Sequence, residues 1–405
     1  MRRYRAAGPP RDTQRGPAAA VLWAAMLFHF DFATWARMLG LALREKRAAL
    51  RAWFVFRLIV WVPLVASFHA GCFFLDGVLF PGVRRTPVRA PVFLVGHARS
   101  GTTLLHRLMS LDGERFCTPR LYELYFPSLL QKKLLRALGA FDRRFLGRRL
   151  ARRVRRWEER RYRATQDIHA MGLFKPEEDD VFFYYSCASG FWMTKLPYLG
   201  KLDFYYVDRW PERKRRRLMR FYRACIQRQL WLDGADKIYV SKSPVFAGRV
   251  GALLEEFPDA RFGINLRDPD ETIPSLLKLL QTSYGLYGIA PEEAARALRA
   301  QVEISVDTYR HPFAVLAEHG EIKRAAVEYA ELTGSPRAAI EKLYAALGLD
   351  VTPEFAAKLA AEEQRAKRHE TRHRYSLAEF GLREGELRER IGEELFAEFG
   401  WGDRS

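Results

Sequence analysis

The chain has 405 residues, 48% of them hydrophobic, and a formal net charge of +19. A sizeable core can be buried, which excludes a wholly disordered chain and leaves one large domain with additions, or two domains. The charge favours anionic partners without choosing among nucleotide, acidic lipid and nucleic acid. The four scattered cysteines (Cys72, Cys117, Cys187, Cys225) form no C-x-x-C pair, so neither a metal site nor a disulfide framework is suggested and a reducing compartment is the simpler assumption.

Residues 1–17, rich in Arg, Pro and Gly, are expected to be a disordered basic tail. Residues 18–87 form an apolar helical region. Leu58 to Leu75 carries no formal charge and is close to the ~20 residues a spanning helix needs, whereas Ala18 to Phe30 is too short to cross alone. Arginines flank the longer run on both sides (Arg51, Arg57; Arg84, Arg85, Arg89), which sets no clear orientation. Pro63 and His69 inside it weigh against a crossing. A helix in or on a membrane and a helix buried against the globular part both stay open.

Residues 88–405 read as strand-then-helix units. Val92 to Val95 is an apolar run of the buried-strand type, followed by a Gly/Ser/Thr loop and a helix from Thr103 to Leu111. Ile238 to Val240 with a helix from Gly248 to Glu256 makes a second unit. Arg261 to Leu266 with a helix from Glu271 to Gln281 makes a third. A strand from Ala325 to Tyr329 and a helix from Pro336 to Leu347 close the series. The alternation predicts an α/β fold, a central parallel sheet flanked by helices, with ligands at the carboxyl ends of the strands. Two arginine-dense stretches, Arg143 to Arg163 and Arg213 to Arg217, lie between the first two units. They suit a solvated helix face, or contact with acidic headgroups or an anionic acceptor.

Gly96 to Thr103 (GHARSGTT) follows a strand and opens a helix, so backbone N–H groups and the helix start can hold an anion. Gly96 and Gly101 permit the turn, and Ser100, Thr102 and Thr103 add hydroxyls. The spacing nearly matches the nucleotide-triphosphatase loop G-x-x-x-x-G-K-S/T, but Thr102 stands where its lysine belongs and the cation sits at Arg99. That argues for a transferred group less charged than a γ-phosphate, moved without a metal.

The stretch PVFLVGHARSGTTLLHRLMSLD resembles the 5′-phosphosulfate loop of sulfotransferases, particularly bacterial ones and relatives of tyrosylprotein and heparan sulfotransferases. Ala98 replaces their usual proline, and Arg99 stands where many members have lysine. Further on, Arg267-Asp-Pro269 ends a strand and Ser275 follows by eight positions, similar to the family's 3′-phosphate motif. Tyr329 in Val327-Glu-Tyr-Ala-Glu-Leu332 resembles the tyrosine that faces the nucleotide. His373 to Leu382 resembles the tail that closes over the cofactor in bacterial members, with Arg374 and Tyr375 as candidates. The motifs run in family order over roughly residues 88–400 and leave out the first 80.

The resemblance implies a P-loop-like sulfotransferase fold and a sulfuryl donor, 3′-phosphoadenosine 5′-phosphosulfate (PAPS), released as adenosine 3′,5′-bisphosphate. The implied nucleotide contacts are His97, Arg99, Ser100, Gly101, Thr102, Thr103, Arg267, Ser275, Tyr329, Arg374 and Tyr375, with no metal. Arg99 steadies charge on the transferred group, and Glu123 or His169 takes the acceptor proton, with Glu177 as a further carboxylate. Glu178 to Asp180 suit a helix cap near Val181. Pro244 stands where cytosolic members have a histidine base, so that role does not transfer; Lys242 can still approach the sulfuryl group. The acceptor is a small molecule, lipid or glycan, an acidic membrane surface is a possible partner, and no nucleic acid is expected. In a bacterial cell PAPS is cytoplasmic, so the catalytic part is expected there, associated with the membrane through its apolar helices. The competing readings are a non-catalytic membrane or anionic-polymer binder and an ATP-dependent kinase.

Overall fold

A computed structural model describes residues 28–162, 172–194, 196, 200–366 and 376–401. Helices α1 (Phe32–Leu43) and α2 (Ala48–Leu79) come first. Then follow β1 (Val92–Gly96), α3 (Thr102–Met109), β2 (Phe116–Cys117), α4 (Leu121–Tyr125), α5 (Leu129–Phe145) and α6 (Arg149–Tyr162). The second stretch runs α7 (Glu212–Asp233), β3 (Ile238–Lys242), α8 (Val250–Glu256), β4 (Arg261–Leu266), α9 (Pro269–Leu286) and α10 (Pro291–Ala317). Last come β5 (Arg324–Glu328), α11 (Tyr329–Gly334), α12 (Pro336–Leu347), α13 (Pro353–Ala366), α14 (Glu386–Ile391) and α15 (Glu393–Phe399).

The strands form one parallel five-stranded sheet in the order β2-β3-β1-β4-β5. The expected α/β architecture is therefore present. β1 lies at the centre, with Gly96 opposite Asn265 of β4 and Leu94 opposite Lys242 of β3. Its side chains alternate between faces. Phe93 and Val95 join one core with Tyr239, Phe262 and Ile264; Val92 and Leu94 join the other with Val240, Val327 and Leu343. Two-sided burial explains why this strand is apolar at every side-chain-bearing position instead of alternating.

Three details differ from the sequence expectations. β2 is two residues long, too short to carry a pattern. Tyr329 opens α11 instead of ending a strand, because Glu328 caps the helix through the Ala330 and Glu331 N–H groups. The carboxylates Asp179 and Asp180 start a 3-10 turn (Asp179–Phe183) but point inward. Asp179 accepts from Tyr222, Tyr239 and Ser241, and Asp180 faces Arg249 at 2.9 Å.

The apolar N-terminal run packs on the domain. Phe28, Ala66 and Phe73 belong to the same core as Phe93 and Ile264. α2 passes Pro63 without breaking: the turn before it, Arg57–Trp61, is π-helical, and this widened turn absorbs the missing proline N–H. Near its end Asp76, fully buried, accepts from Arg228 Nε at 2.7 Å and from the first N–H groups of α5, Leu129 and Leu130, at 2.8 Å each. The carboxylate thus neutralises a buried guanidinium and caps α5.

Candidate active site

β1 and β4 end side by side, and the site is built from the turns that follow them. At Gly96 φ is +129°, and a Cβ there would overlap the Asn265 carbonyl oxygen. Arg99 and Gly101 both take positive φ, +75° and +85°. The loop so formed delivers the chain to the start of α3, whose first N–H groups suit an anion. Arg99 accepts a left-handed conformation that costs a non-glycine residue about 1–2 kcal/mol. Such strain needs support. Ser100 supplies part of it, donating N–H (3.2 Å) and Oγ–H (2.6 Å) to the His97 carbonyl.

The β4 turn meets this loop directly. Arg267 Nη1 donates to the Arg99 carbonyl at 3.4 Å, and Arg99 Nε donates to Ser275 Oγ at 3.2 Å. The Arg267 guanidinium lies 4.1 Å from the centroid of the Tyr329 ring. That ring closes on Gly101, where a Cβ would be 2.7 Å from Tyr329 Cδ2. Two cations, a helix start and an aromatic face, gathered from three distant stretches of chain, line one wall of one cavity. Asn265 adds a side-chain amide whose oxygen and nitrogen both lack a partner among the described residues at the same strand end.

The cavity measures about 2130 Å³, against ~300–1,000 Å³ for a typical small-ligand pocket. Arg99, Thr102, Thr103, Arg267 and Tyr329 line it at the strand ends; α2, α5 and α6 line it elsewhere with the apolar Trp61, Phe68, Leu138 and Trp157, alongside Arg143 and Arg155.

The model of the sulfotransferase family matches residues 91–353. The chain belongs to the sulfotransferase family. Omega-hydroxy-beta-dihydromenaquinone-9 sulfotransferase Stf3 of Mycobacterium bovis and of Mycobacterium tuberculosis is 30% identical to this sulfotransferase over 270 residues. The match takes in 64% of this chain and 63% of each relative's length. Among solved structures, sulfotransferase STF9 from Mycobacterium avium shares the fold with a TM-score of 0.62 at 19% identity, over 97% of this chain and 99% of that one. Sulfotransferase STF1 from Mycobacterium tuberculosis gives 0.57 at 17% identity, over 94% and 99%. These likenesses of fold extend across the N-terminal helices, which the sequence motifs alone leave outside the family.

The remaining expected residues of this sulfotransferase divide three ways. His97, Thr102 and Thr103 line the cavity. His97 is buried, bonded through Nε2 to Ser305 Oγ at 2.8 Å and stacked on Tyr309, and burial lowers its pKa to about 4. Ser100 instead spends its hydroxyl on the His97 carbonyl, because the positive φ at Arg99 turns it inward. His169, Arg374 and Tyr375 lie outside the described residues.

Glu123 sits one layer behind the cavity wall. Its carboxylate accepts from Arg136 Nη2 (2.6 Å), Tyr122 Oη (3.0 Å), Arg120 N (2.9 Å) and Gln229 Nε2 (3.2 Å). Tyr122 and Arg136, not Glu123 itself, reach the cavity. Glu177 is buried. Its neighbour Glu178 lines the cavity and holds Lys242 Nζ at 2.9 Å. Lys242 is itself buried at the end of β3 beside β1. Sequence reasoning also missed α10, whose Gln301 and Thr308 reach the cavity, and Asn265. The signal for Asn265 was present: it is the one side-chain amide within an otherwise apolar strand run, Phe262 to Leu266.

Proposed function

We propose that the chain transfers a sulfuryl group from PAPS to a hydroxyl or amine acceptor by in-line displacement, without a metal. The observation that carries this reading is the meeting of Arg99 and Arg267 on one cavity wall, where the second guanidinium touches the carbonyl of the first residue. A nucleotide with a charged group at each end of its ribose is gripped by that pair. Thr102 and Thr103 at the start of α3 hold the 5′ end, Arg267 and Ser275 the 3′-phosphate, and Tyr329 the flat part between them. The bound donor supplies a sulfuryl group on a good leaving group, so the protein needs only to position it and to neutralise charge.

Arg99 offers a fixed planar cation where charge develops on the departing oxygen. Glu123 takes the acceptor proton. The path from the cavity runs through Tyr122, which lines the cavity and donates its hydroxyl to Glu123 Oε1 at 3.0 Å. A second carboxylate, Glu178, is favoured by its direct exposure to the cavity beside Lys242. Replacing each by glutamine separates the two.

Thr102 in place of the triphosphatase lysine, together with family membership, disfavours the ATP-dependent kinase. The relative named for a dihydromenaquinone brings lipids to the fore among the acceptor classes, ahead of glycans and other small molecules. Residues 88–405 are the catalytic unit, cytoplasmic where PAPS is made, and the preceding apolar helices bring it to the membrane.

Calorimetry with adenosine 3′,5′-bisphosphate tests the donor site: saturable one-to-one binding is expected, weakened roughly ten- to a hundredfold by Arg267→Ala. Incubation with sulfur-labelled PAPS and separated lipid and soluble cell fractions then reads the acceptor. No binding of the bisphosphate would sink the assignment.

A further inference from the structure

α2 presents three stripes. Phe54, Leu58, Val62, Ala66 and Phe73 face the domain and are buried. Trp53, Arg57, Trp61, Val65 and Phe68, at helical spacing along a second face, line the cavity. Phe56, Ile59, Leu64, Leu75 and Val78 belong to neither set and are exposed, each by 41% or more. α5, which packs on α2, adds a fourth apolar stripe at spacings of four, three and four: Leu134, Leu138, Phe141 and Phe145, all exposed. Leu138 also lines the cavity, so this outer face and the cavity's apolar lining share a border.

A monomer in water rarely leaves so much contiguous apolar surface bare. The rim of this face is basic. α6 exposes Arg149, Arg152, Arg153 and Arg156, while its Val154 and Trp157 line the cavity. Apolar side chains flanked by arginines are the pattern of a helix lying in the interface of an anionic bilayer. A crossing by α2 is opposed by its inner stripe, which ends in the buried Asp76–Arg228 pair and is committed to the domain.

We propose that the outer faces of α2 and α5 dock on an anionic membrane leaflet, and that the apolar part of the cavity takes the hydrocarbon chain of a lipid alcohol entering sideways from that leaflet. This rests on the reading of the cavity wall at the strand ends as the sulfuryl-transfer site. The size of the cavity follows from it: the nucleotide occupies the part at the strand ends, and the part lined by Trp61, Phe68 and Trp157 receives the chain that carries the acceptor hydroxyl.

The test uses the full chain and two charge variants. Vesicles of phosphatidylcholine alone and of equimolar phosphatidylcholine and phosphatidylglycerol are floated with protein at low and high salt. Wild type binds the anionic vesicles at least about tenfold more than the neutral ones, and salt weakens the binding. Ile59→Asp/Leu64→Asp lowers vesicle binding at least about tenfold, because the apolar contact with the acyl chains is lost. Arg152→Glu/Arg153→Glu removes the preference for anionic vesicles. Both variants keep the wild-type circular dichroism melt and bisphosphate affinity.

Labelled PAPS is then supplied with a long-chain prenyl alcohol in vesicles, or with a short water-soluble alcohol. Label enters the vesicle-borne alcohol preferentially, and Ile59→Asp/Leu64→Asp slows this but spares transfer to the same alcohol in detergent. The proposal is overturned if folded Ile59→Asp/Leu64→Asp floats like wild type. It is equally overturned if wild type does not float but sediments as a dimer that this variant splits, or if only the short alcohol is sulfated. Vesicle binding without bisphosphate binding upholds the docking face and overturns the donor reading beneath it.

Discussion

Arg99 Nε donates to Ser275 Oγ across 3.2 Å, so the loop after β1 and the helix after β4 are latched side chain to side chain. The two residues stand 176 positions apart in the chain. The same two elements are joined again by Arg267 and the Arg99 carbonyl. The nucleotide proposed to bind here would touch both halves at once.

The first prediction follows from that coupling. Arg267→Ala removes a charge-assisted contact worth about 1.5–3 kcal/mol, so bisphosphate affinity falls roughly ten- to a hundredfold. Ser275→Ala removes a neutral hydrogen bond and costs about 0.5–1.5 kcal/mol, a smaller loss. Calorimetry reads both. Melting temperatures should move little for Arg267→Ala, since its ion pair with Glu271 is open to solvent on both sides, each side chain being 29% exposed.

Gly101 answers a different question, whether the loop can tolerate a side chain. Its φ is +85°, and a methyl group would press on the Tyr329 ring at 2.7 Å. Gly101→Ala is expected to destabilise by about 1–2 kcal/mol from the backbone alone. It also tilts Tyr329 off Arg267, so binding weakens more than stability does. Gly96→Ala meets a backbone carbonyl instead of a movable ring and should be the more severe in thermal denaturation.

For the proton acceptor, Glu123→Gln should lower kcat at least about a hundredfold, the usual scale of general-base loss. KM for the donor stays near wild type. Tyr122→Phe should lower kcat as well, because the hydroxyl links the cavity to Glu123. A Glu178→Gln enzyme that loses as much activity as Glu123→Gln, while Tyr122→Phe is unaffected, would transfer the base role to Glu178.

Stability against pH has two opposing sources. Burial lowers the pKa of His29, His69 and His97 to about 4 and that of His106 to about 3. The unfolded chain binds protons on these rings near pH 6.5 and the folded one does not, so stability is lost as pH falls from about 7 towards 4. Asp179 acts the other way. Burial raises its pKa to about 7, so it holds a proton in the folded state that the unfolded chain releases near 4, and its contribution is lost as pH rises across that window. Asp180 and Glu256, whose pKa values burial also raises, add to Asp179, but the four histidines lose stability across this window and the melting temperature should fall on acidification from pH 7 to 5. Asp179→Asn keeps the side chain neutral at every pH, removes the opposing contribution of Asp179 and should make that fall steeper.

How much of this was legible beforehand varies element by element. β4 and α12 occupy the residues expected of them, Arg261–Leu266 and Pro336–Leu347, because an apolar run and a proline-opened amphipathic helix are local patterns. The GHARSGTT loop was legible for the same reason: its glycines, cation and hydroxyls lie within eight residues. β2 left no pattern to find, and Gln301 and Thr308 reach the cavity from a helix whose sequence carries no motif.

Chain order and side-chain chemistry alone indicated the parallel sheet and the glycine-rich loop between β1 and α3, and resemblance to a family motif singled out Arg267 beside Arg99. Packing settled the rest. That Glu123 stands behind Tyr122 and Arg136, that Glu178 opens on the cavity, and that α2 lies along the domain pinned by Asp76 to Arg228 across 152 residues of chain are facts of three-dimensional placement. A hydrogen bond or a buried charge pair depends on positions to within an ångström or less, and no local run of residues encodes where a partner a hundred positions away will come to rest.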